Sequence, residues 1–492
     1  MRVFVSAALI ILALLVIAGC GGGDHGNPIT TGSLAGFIYA DSGGAGMVAS
    51  ATARADRAPI PGATITVSGQ DISAVTDDAG HFQLDGVYTG TRQFYVERDG
   101  YTRSTFSMNI AEGTNTVPSS VDPLAPASLK WMVMVYLAAD NNLDTDGFAD
   151  QDMNEMEAAP NSPDVMTLVL SDRRGPNNTR LYRIQQDANP AQINSPIIYD
   201  PGELDTGLPS TLGWFTNYCQ TDPGLPRAEH YLLVIWNHGS GWDTYYDRSF
   251  NIRAIGEDYT SNSVMRIVDI PPVLTQPYPI DILATDACLM GMLEVAYEWR
   301  ACGDYFIGSE EETPGDGFNY TSVLSLINSD TGLQMTPGEL ANSITNAVYT
   351  DWSNSYLRLA AIDLRRLEPV ASALDALSVR LIAVGRNYST QLAEIYSSVE
   401  GSFWGDHRAD LYDYADLLGA RINDSTLRSA ASQLKTAINS AVTANYPTGG
   451  KAHGISIYLP TKTAYNRDAA SSYPGLQLSA DTHWNEWLAG QP

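Results

Sequence analysis

Residues 280–295 read IDILATDACLMGMLEV. The first half is a continuous apolar run, which predicts a buried β-strand, and it ends at Asp286 and Cys288. Beyond Cys288 the apolar residues recur near helical spacing, so we expect a helix that starts close to the cysteine. This pattern presents a carboxylate and a thiol at the end of a rigid strand.

Several other apolar runs of strand length lie between residues 131 and 367. They are WMVMVYLAAD (131–140), DVMTLVLSD (164–172), YLLVIWNHG (231–239), DYFIGSEEE (304–312) and RLAAIDLRRL (358–367). Strands that are apolar on both faces and alternate with helical stretches predict a mostly parallel α/β sheet covered by helices on both sides. Residues 366–445 are predicted to be largely helical, and AHGISIYLP (452–460) is a late strand.

A second strand also ends in a reactive side chain. The run YLLVIW continues into Asn237, His238 and Gly239. If the two strands are parallel neighbours, His238 and Cys288 emerge at the same edge of the sheet. A thiol and an imidazole together are the minimum for nucleophilic acyl transfer. The alternative is a buried cysteine that only packs.

The first 20 residues, MRVFVSAALIILALLVIAGC, have the organisation of a secretory signal peptide. The last four resemble a bacterial lipobox, which predicts lipidation of Cys20; an ordinary cleaved signal is the alternative. Residues 21–32 are then a flexible tether. Gly21 stands where an aspartate often retains lipoproteins in an inner membrane, so we expect an extracytoplasmic protein anchored to the outer membrane or cell surface.

Charge and cysteine content restrict the function further. The 492-residue chain carries 56 acidic and 28 basic residues, a formal net charge of −28, which argues against nucleic-acid binding. Besides Cys20, the cysteines are Cys219, Cys288 and Cys302, so at least one thiol is free within a single chain. No cysteine or histidine cluster has zinc spacing, and no metal site is predicted.

Residues 33–120 contain short alternating strands separated by turn residues, which predicts a small β-sandwich. The segments PGATITV and TDDAGHFQL resemble the carboxypeptidase regulatory-like domain. Residues 121–129 contain two prolines and suit a linker, and residues 130–492 form the second domain.

Six segments of the second domain, in order, resemble the clostripain family of cysteine peptidases, which has a caspase-like α/β fold. They are VYLAADNNLD (135–144), VIWNHGSGW (234–242), RAIGEDYTSN (253–262), ATDACLMGMLEVAYE (284–298), PGDGFNY (314–320) and HGISIYLP (453–460). The resemblance implies that Cys288 is the nucleophile and His238 the general acid/base of a dyad. No residue that must orient the imidazole is recognised in the sequence. The backbone N–H of Gly239, with that of Cys288, is expected to hold the oxyanion.

The same resemblance implies cleavage after arginine, and less readily after lysine. It assigns the S1 pocket to Asp286 and Asp316, which fits because a guanidinium pairs well with carboxylates. From the residues alone, Asp286 is equally a strand-end cap and Asp316 a turn residue. Residues 310–312, three glutamates, are predicted to be a solvated acidic run rather than cleft or calcium ligands. His453 precedes its strand, so we expect it on the opposite side of the sheet from His238.

The sequence therefore predicts a lipid-anchored cysteine endopeptidase acting on proteins or peptides with basic P1 residues. The alternatives are a peptidase with a different P1 preference and an inactive caspase-fold binding or adhesion lipoprotein. No cofactor is required; calcium, which relatives use, is left open. Relatives also cut themselves between the two catalytic strands, which points to self-cleavage at Arg248 or Arg253, unless these are only solvated loop charges.

Overall fold

The computed structural model describes residues 30–40, 58–117, 124–125, 127–242, 255–275, 277–352, 357–399 and 407–492. Cys20, Arg248 and Arg253 lie outside the described residues, and so do the signal peptide and most of the tether. No helix in the described ranges is long and apolar enough to cross a lipid bilayer.

The N-terminal region is a β-sandwich of two sheets, with strand orders β4-β1-β7 and β3-β2-β5-β6. Its strands are β1 (Thr31–Phe37), β2 (Thr64–Val67), β3 (Ser73–Val75), β4 (His81–Tyr88), β5 (Gly90–Glu97), β6 (Ser104–Ile110) and β7 (Gly113–Thr116). Alternate residues of these strands point inwards, so that Leu34, Ile65, Phe82 and Phe94 are fully buried between the sheets.

The C-terminal region is built on a nine-stranded sheet with the order β11-β10-β9-β8-β12-β15-β16-β17-β19. In the described residues, two further pairs, β13-β14 and β18-β20, lie outside this sheet. The thirteen strands are β8 (Leu129–Ala138), β9 (Val165–Asp172), β10 (Thr179–Arg183), β11 (Ile197–Gly202), β12 (Ala228–Trp236), β13 (Ile255–Asp258), β14 (Ser263–Met265), β15 (Ile280–Asp286), β16 (Gly303–Ser309), β17 (Leu359–Asp363), β18 (Arg408–Asp410), β19 (Val442–Tyr446) and β20 (Ser456–Tyr458). The central strands β9, β8, β12, β15 and β16 are parallel, and the outer pairs are antiparallel.

Helices cover both faces of this sheet. They are α1 (Asn142–Thr145), α2 (Phe148–Ala158), α3 (Pro209–Thr221), α4 (Leu293–Glu298), α5 (Tyr320–Ile327), α6 (Asp330–Gln334), α7 (Pro337–Asp351), α8 (Leu367–Val384), α9 (Ser389–Tyr396), α10 (Leu411–Arg421), α11 (Ser425–Ala441), α12 (Lys462–Ala464), α13 (Gln477–Asp481) and α14 (Trp484–Gly490). Because strand side chains alternate, Val133 and Val135 pack against α2, α5 and α7, whereas Met132 and Met134 face the opposite layer with α3, α4 and α8. The predicted fold class, a mostly parallel sheet between helices after a small β-sandwich, is therefore confirmed.

Candidate active site

The strands β12 and β15 are parallel neighbours, and Trp236 lies opposite Asp286 at their carboxyl ends. His238 and Cys288 each follow two residues later, so both emerge at this edge, as the sequence predicts. Gly239 lies directly against the second strand end: a Cβ atom there would be 2.3 Å from the carbonyl oxygen of Cys288. Only glycine permits this close approach of the two backbones.

A cavity of about 240 Å³ opens between the two strand ends. His238, Cys288 and Asp286 all line it, together with Trp236 and Thr313. Residues that carry an imidazole, a thiol and a carboxyl group thus line one cavity at the carboxyl edge of the sheet, where α/β folds place their ligands.

The imidazole of His238 is positioned by Asn142, the first residue of α1. Its Nε2 atom lies 2.8 Å from the side-chain oxygen of Asn142. Because an amide oxygen only accepts, Nε2 carries the proton and Nδ1 is left to receive one. Burial lowers the pKa of His238, which keeps the ring neutral, and Asp146 opposes this effect. The sequence analysis missed Asn142, although the polar DNNLD segment directly follows a buried strand.

The thiol of Cys288 forms its contacts with the backbone of Thr313. The N–H of Thr313 donates to Sγ at 3.3 Å, and Sγ lies 3.7 Å from the Thr313 carbonyl oxygen. The hydrogen bonds of the described residues include none between Cys288 and His238. Burial raises the pKa of Cys288 to about 11, the Thr313 N–H opposes this, and Glu312 adds repulsion. The thiol is therefore protonated in this resting arrangement.

Cys288 does not lie at a helix start, contrary to expectation. The helix α4 begins only at Leu293, and Leu289 between them has a φ of 63°. A turn with a residue in the left-handed region separates the strand from the helix, so no helix N-terminus lowers the pKa of the thiol.

Asp286 is buried and accepts two hydrogen bonds through Oδ2, from the backbone N–H of Phe318 at 2.9 Å and the hydroxyl of Tyr320 at 3.1 Å. Burial raises its pKa to about 7, although both bonds oppose the shift. Asp316 is half-buried in the loop between β16 and α5. Its neighbours Gly315 and Gly317 line the cavity, and Asp316 itself is absent from the described lining.

Two sequence predictions about neighbouring residues were wrong. Glu310 is not solvated: it is fully buried, and its Oε1 accepts a bond from the N–H of Gly454. This bond brings the segment around His453 to the carboxyl edge of the sheet, where Ala452 packs beside Leu289. The second wrong prediction placed His453 on the opposite side of the sheet from His238. It failed because β20, the strand that follows His453, pairs with β18 outside the main sheet.

The imidazole of His453 nevertheless contacts other side chains. Its Nδ1 lies 3.3 Å from a carboxylate oxygen of Asp410, and its ring stacks on Tyr412 with a centroid distance of 4.1 Å. The cysteines Cys219 and Cys302 are both buried and free, and Cys219 lies in α3 rather than in a loop. Cys288 is the least buried of the three described thiols.

Comparisons with known proteins identify a family for each part of the chain. Residues 135–489 match the clostripain family, and residues 46–121 match the carboxypeptidase regulatory-like domain. Clostripain of Hathewaya histolytica is 25% identical over 401 aligned residues, which cover 67% of this chain and 74% of that protein.

Two solved structures share the fold. One is an inactive zymogen C11 protease from Parabacteroides distasonis, with a TM-score of 0.55, 21% identity, and coverage of 73% of this chain and 99% of that one. The other is a secreted C11 cysteine protease from Bacteroides thetaiotaomicron bound to an irreversible peptide inhibitor, with a TM-score of 0.54 and the same identity and coverage. The family match spans more than half of the chain and contains both strand ends, and the chain therefore belongs to the clostripain family of cysteine endopeptidases.

Proposed function

We propose that this peptidase cleaves after arginine, and less readily after lysine, with Cys288 as nucleophile and His238 as general acid/base. The observation that carries the proposal is the cavity in which the thiol and imidazole face the buried carboxylate of Asp286. The carboxyl group of Asp286, when ionised, has the charge opposite to that of a basic P1 side chain.

In the proposed reaction, Nδ1 of His238 takes the proton of the Cys288 thiol as the thiolate attacks the carbonyl carbon. The oxygen of the tetrahedral intermediate carries the negative charge, which the backbone N–H of Gly239, with that of Cys288, is proposed to stabilise. The imidazolium then returns the proton to the departing amine. Water hydrolyses the remaining thioester with His238 as base and restores the free thiol.

Labelling with a peptidyl-arginine chloromethylketone tests this assignment. We expect the wild-type protein to be alkylated on Cys288 and Cys288→Ala to remain unlabelled. A glutamine analogue of the reagent separates a different P1 preference from the proposed one. Folded protein that neither reagent labels and that cleaves no peptide would favour the inactive binding or adhesion alternative.

Asp316 is proposed as the second acid of the S1 pocket. The support is electrostatic, since repulsion from Asp316 is among the causes, after burial, that raise the pKa of Asp152 and Glu155. Loss of one carboxylate from a buried ion pair costs about 2–5 kcal/mol. Asp316→Ala should therefore lower kcat/KM for arginine substrates while the unfolding midpoint changes little, and an unchanged arginine preference would assign S1 to other acids.

We also propose that Cys20 is lipidated and tethers the enzyme outside the cytoplasm, on the outer membrane or cell surface. The support is the lipobox-like sequence at residues 17–20 behind an apolar segment. Metabolic labelling with a palmitate analogue tests the anchor: Cys20→Ser should lose the label and the membrane association together, whereas an ordinary cleaved signal predicts no label in either protein.

Self-cleavage after Arg248 or Arg253 is proposed because both residues lie between the two catalytic strands in the sequence. Purified wild-type enzyme should separate into a fragment with His238 and one with Cys288, while Cys288→Ala stays intact. A wild-type enzyme that remains one chain at full activity would exclude self-processing without affecting the peptidase assignment.

Calcium is proposed only as a structural ion, since the reaction uses a thiol and an imidazole. Asp140, Asp172 and Asp258 are buried and have oxygen atoms within 4.8 Å of one another. Oδ1 of Asp140 is buried and has no hydrogen-bond partner among the described residues, so these carboxylates would fit a hard cation. Calcium should then raise the unfolding midpoint of the wild-type protein but not that of Asp258→Asn; equal shifts in both would place calcium elsewhere.

A further inference from the structure

Asp152 is a buried acid in an otherwise apolar part of α2. The side chain is 0% exposed and lies beside the buried Ala149, Met153 and Met156. The indole Nε1 of Trp236 donates to its Oδ2 at 2.6 Å. Its Oδ1 is also buried and has no hydrogen-bond partner within the described part of the chain. A carboxylate without a cation is a costly group to bury for a single indole bond.

The position of Asp152 connects it to the cavity at the two strand ends. Trp236 links them: it is one of the residues that line the cavity, its indole donates to Asp152, and its backbone lies opposite Asp286. Asp286 is therefore one of the residues that line the cavity, whereas Asp152 is not among them and is connected to the cavity through Trp236. Tyr320, which donates to Asp286, has its pKa raised by burial and by repulsion from both carboxylates.

The groups that act most strongly on the carboxyl group of Asp152 are three acids and one neutral donor. They are Asp286 from β15, Glu155 from its own helix, Asp316 from the loop after β16, and the indole of Trp236 from β12. Burial raises the pKa of Asp152 well above its ordinary value, and repulsion from Asp286 adds to this. Burial likewise raises the pKa of Asp286 to about 7, so both carboxyl groups hold their protons more strongly than an exposed acid does.

We propose that Asp152 is a specificity-determining residue, which forms with Asp286 a proton-holding pair that exchanges a proton for the positive charge of the P1 side chain. This inference rests on the proposed cleavage after basic residues. On binding, the guanidinium or ammonium group enters the cavity, and the O–H bond of one carboxyl group breaks as its proton passes to a solvent water, so the net charge of the site is unchanged.

The exchange makes selection of a basic P1 residue depend on pH. Below the pKa of the pair, the cation must displace a proton and gains little over a neutral side chain. Above it, the cation meets a site that is already negative. The ratio of kcat/KM for an arginine peptide to that for its citrulline isostere isolates this effect, because titration of Cys288 and His238 affects both substrates alike.

The ratio should be measured from pH 6.0 to 8.5 in wild type, Asp152→Asn and Asp150→Asn. Asp150 is the matched control, an exposed acid of the same helix that pairs with Arg173. In wild type the ratio should rise about tenfold over this range, the lower end of the effect of one opposite charge. Asp152→Asn, which keeps an acceptor for the indole, should lower the ratio about tenfold at pH 8.5 and less than about twofold at pH 6.0. Asp150→Asn should follow wild type.

Three results overturn the proposal. A ratio in Asp152→Asn that follows wild type at every pH shows that Asp152 is only an indole acceptor, and the proposed P1 preference survives. A wild-type ratio that is large but independent of pH excludes proton exchange without any variant. A wild-type enzyme that does not prefer arginine to citrulline refutes the proposed P1 preference and this inference together. Asp152→Ser, with thermal unfolding as a fold check, replaces Asp152→Asn if the latter does not fold.

Discussion

The Cys288 thiol and its surroundings show how single residues set the reactivity of this site. Its pKa of about 11 leaves little thiolate at neutral pH, and the repulsion from Glu312 contributes to this. Alkylation of the free enzyme by iodoacetamide should therefore be slow at pH 8 and accelerate towards pH 10, because the thiolate is the reactive form.

Replacing Glu312 by glutamine removes that repulsion and lowers the pKa of the thiol. We expect Glu312→Gln to be alkylated several-fold faster than wild type at pH 8, with mass spectrometry of the Cys288 peptide as the measurement. The buried Cys219 and Cys302 are internal references, and Glu112→Gln, an exposed change in the β-sandwich, is the control. Equal rates in all three proteins would mean that Glu312 does not act on the thiol.

The contact between Asn142 and His238 predicts a positioning role. Asn142→Ala should lower kcat by about 10²-fold at similar KM, because a misplaced catalytic group costs about that much. Asn142→Asp keeps the acceptor and adds a charge, so it should raise the pKa of His238 and move the acid limb of the kcat/KM–pH profile upwards. An alanine variant with normal kcat and an aspartate variant with an unmoved profile would exclude this role.

At the residue scale, the sequence predicted those residues of the cavity that lie at the ends of strands. His238, Cys288 and Asp286 each follow or close an apolar run, so their meeting follows from the parallel order of β12 and β15. Asn142 and Asp152 were missed because each contacts its partner, His238 or Trp236, only in the folded chain, and local spacing does not reveal such contacts. A signal for Asp152 existed: helical spacing puts it on the apolar face with Met153 and Met156.

The elements β12 and β15 form the site because their ends approach closely at Gly239. An added Cβ would clash with the carbonyl oxygen of Cys288 at 2.3 Å and with its nitrogen at 3.1 Å, and both are backbone atoms that cannot rotate away. Gly239→Ala should therefore separate the strand ends and reduce kcat/KM by more than about 10²-fold, the cost of roughly 1 Å of misplacement.

The control for Gly239→Ala is Gly224→Ala, in an exposed turn, where the nearest atom is the carboxylate oxygen of Asp222 at 3.0 Å. This side chain has a free end that can move, so activity should be retained. Thermal unfolding separates lost activity from lost folding. Wild-type kinetics in Gly239→Ala would show that the strand ends tolerate more distance than the structure implies.

Element order was less predictable than element type. The five apolar central strands were recognised, but β10 and β11, at one side of the sheet, were not, since they are short and lack a continuous apolar run. The strand β17 was recognised without its antiparallel direction, because direction depends on the route of the preceding chain and not on local composition. The predicted late strand is reduced to three residues, Ser456–Tyr458, in a separate ribbon.

At the scale of the whole molecule, the β-sandwich docks on the amino ends of the central strands, at the edge opposite the catalytic residues. Arg103, beside β6, is 1% exposed and forms ion pairs with Asp281 at 3.2 Å and with Asp304 at the start of β16. Its guanidinium also pairs with Glu97 of the sandwich at 2.7 Å. Arg103 thus joins the sandwich to the ends of β15 and β16 that lie opposite the catalytic residues.

This buried contact predicts that the two domains unfold together. Arg103→Met leaves Asp281 and Asp304 buried without their shared cation, and breaking a buried ion pair in this way costs about 3–5 kcal/mol. We expect one calorimetric transition in wild type and two in Arg103→Met, with the peptidase transition lowered and the folded variant still active, since its catalytic residues lie at the other edge. Arg98→Met, an exposed arginine of the same sandwich, should behave as wild type. Two transitions already present in wild type would show that the domains are thermodynamically independent and that Arg103 does not couple them.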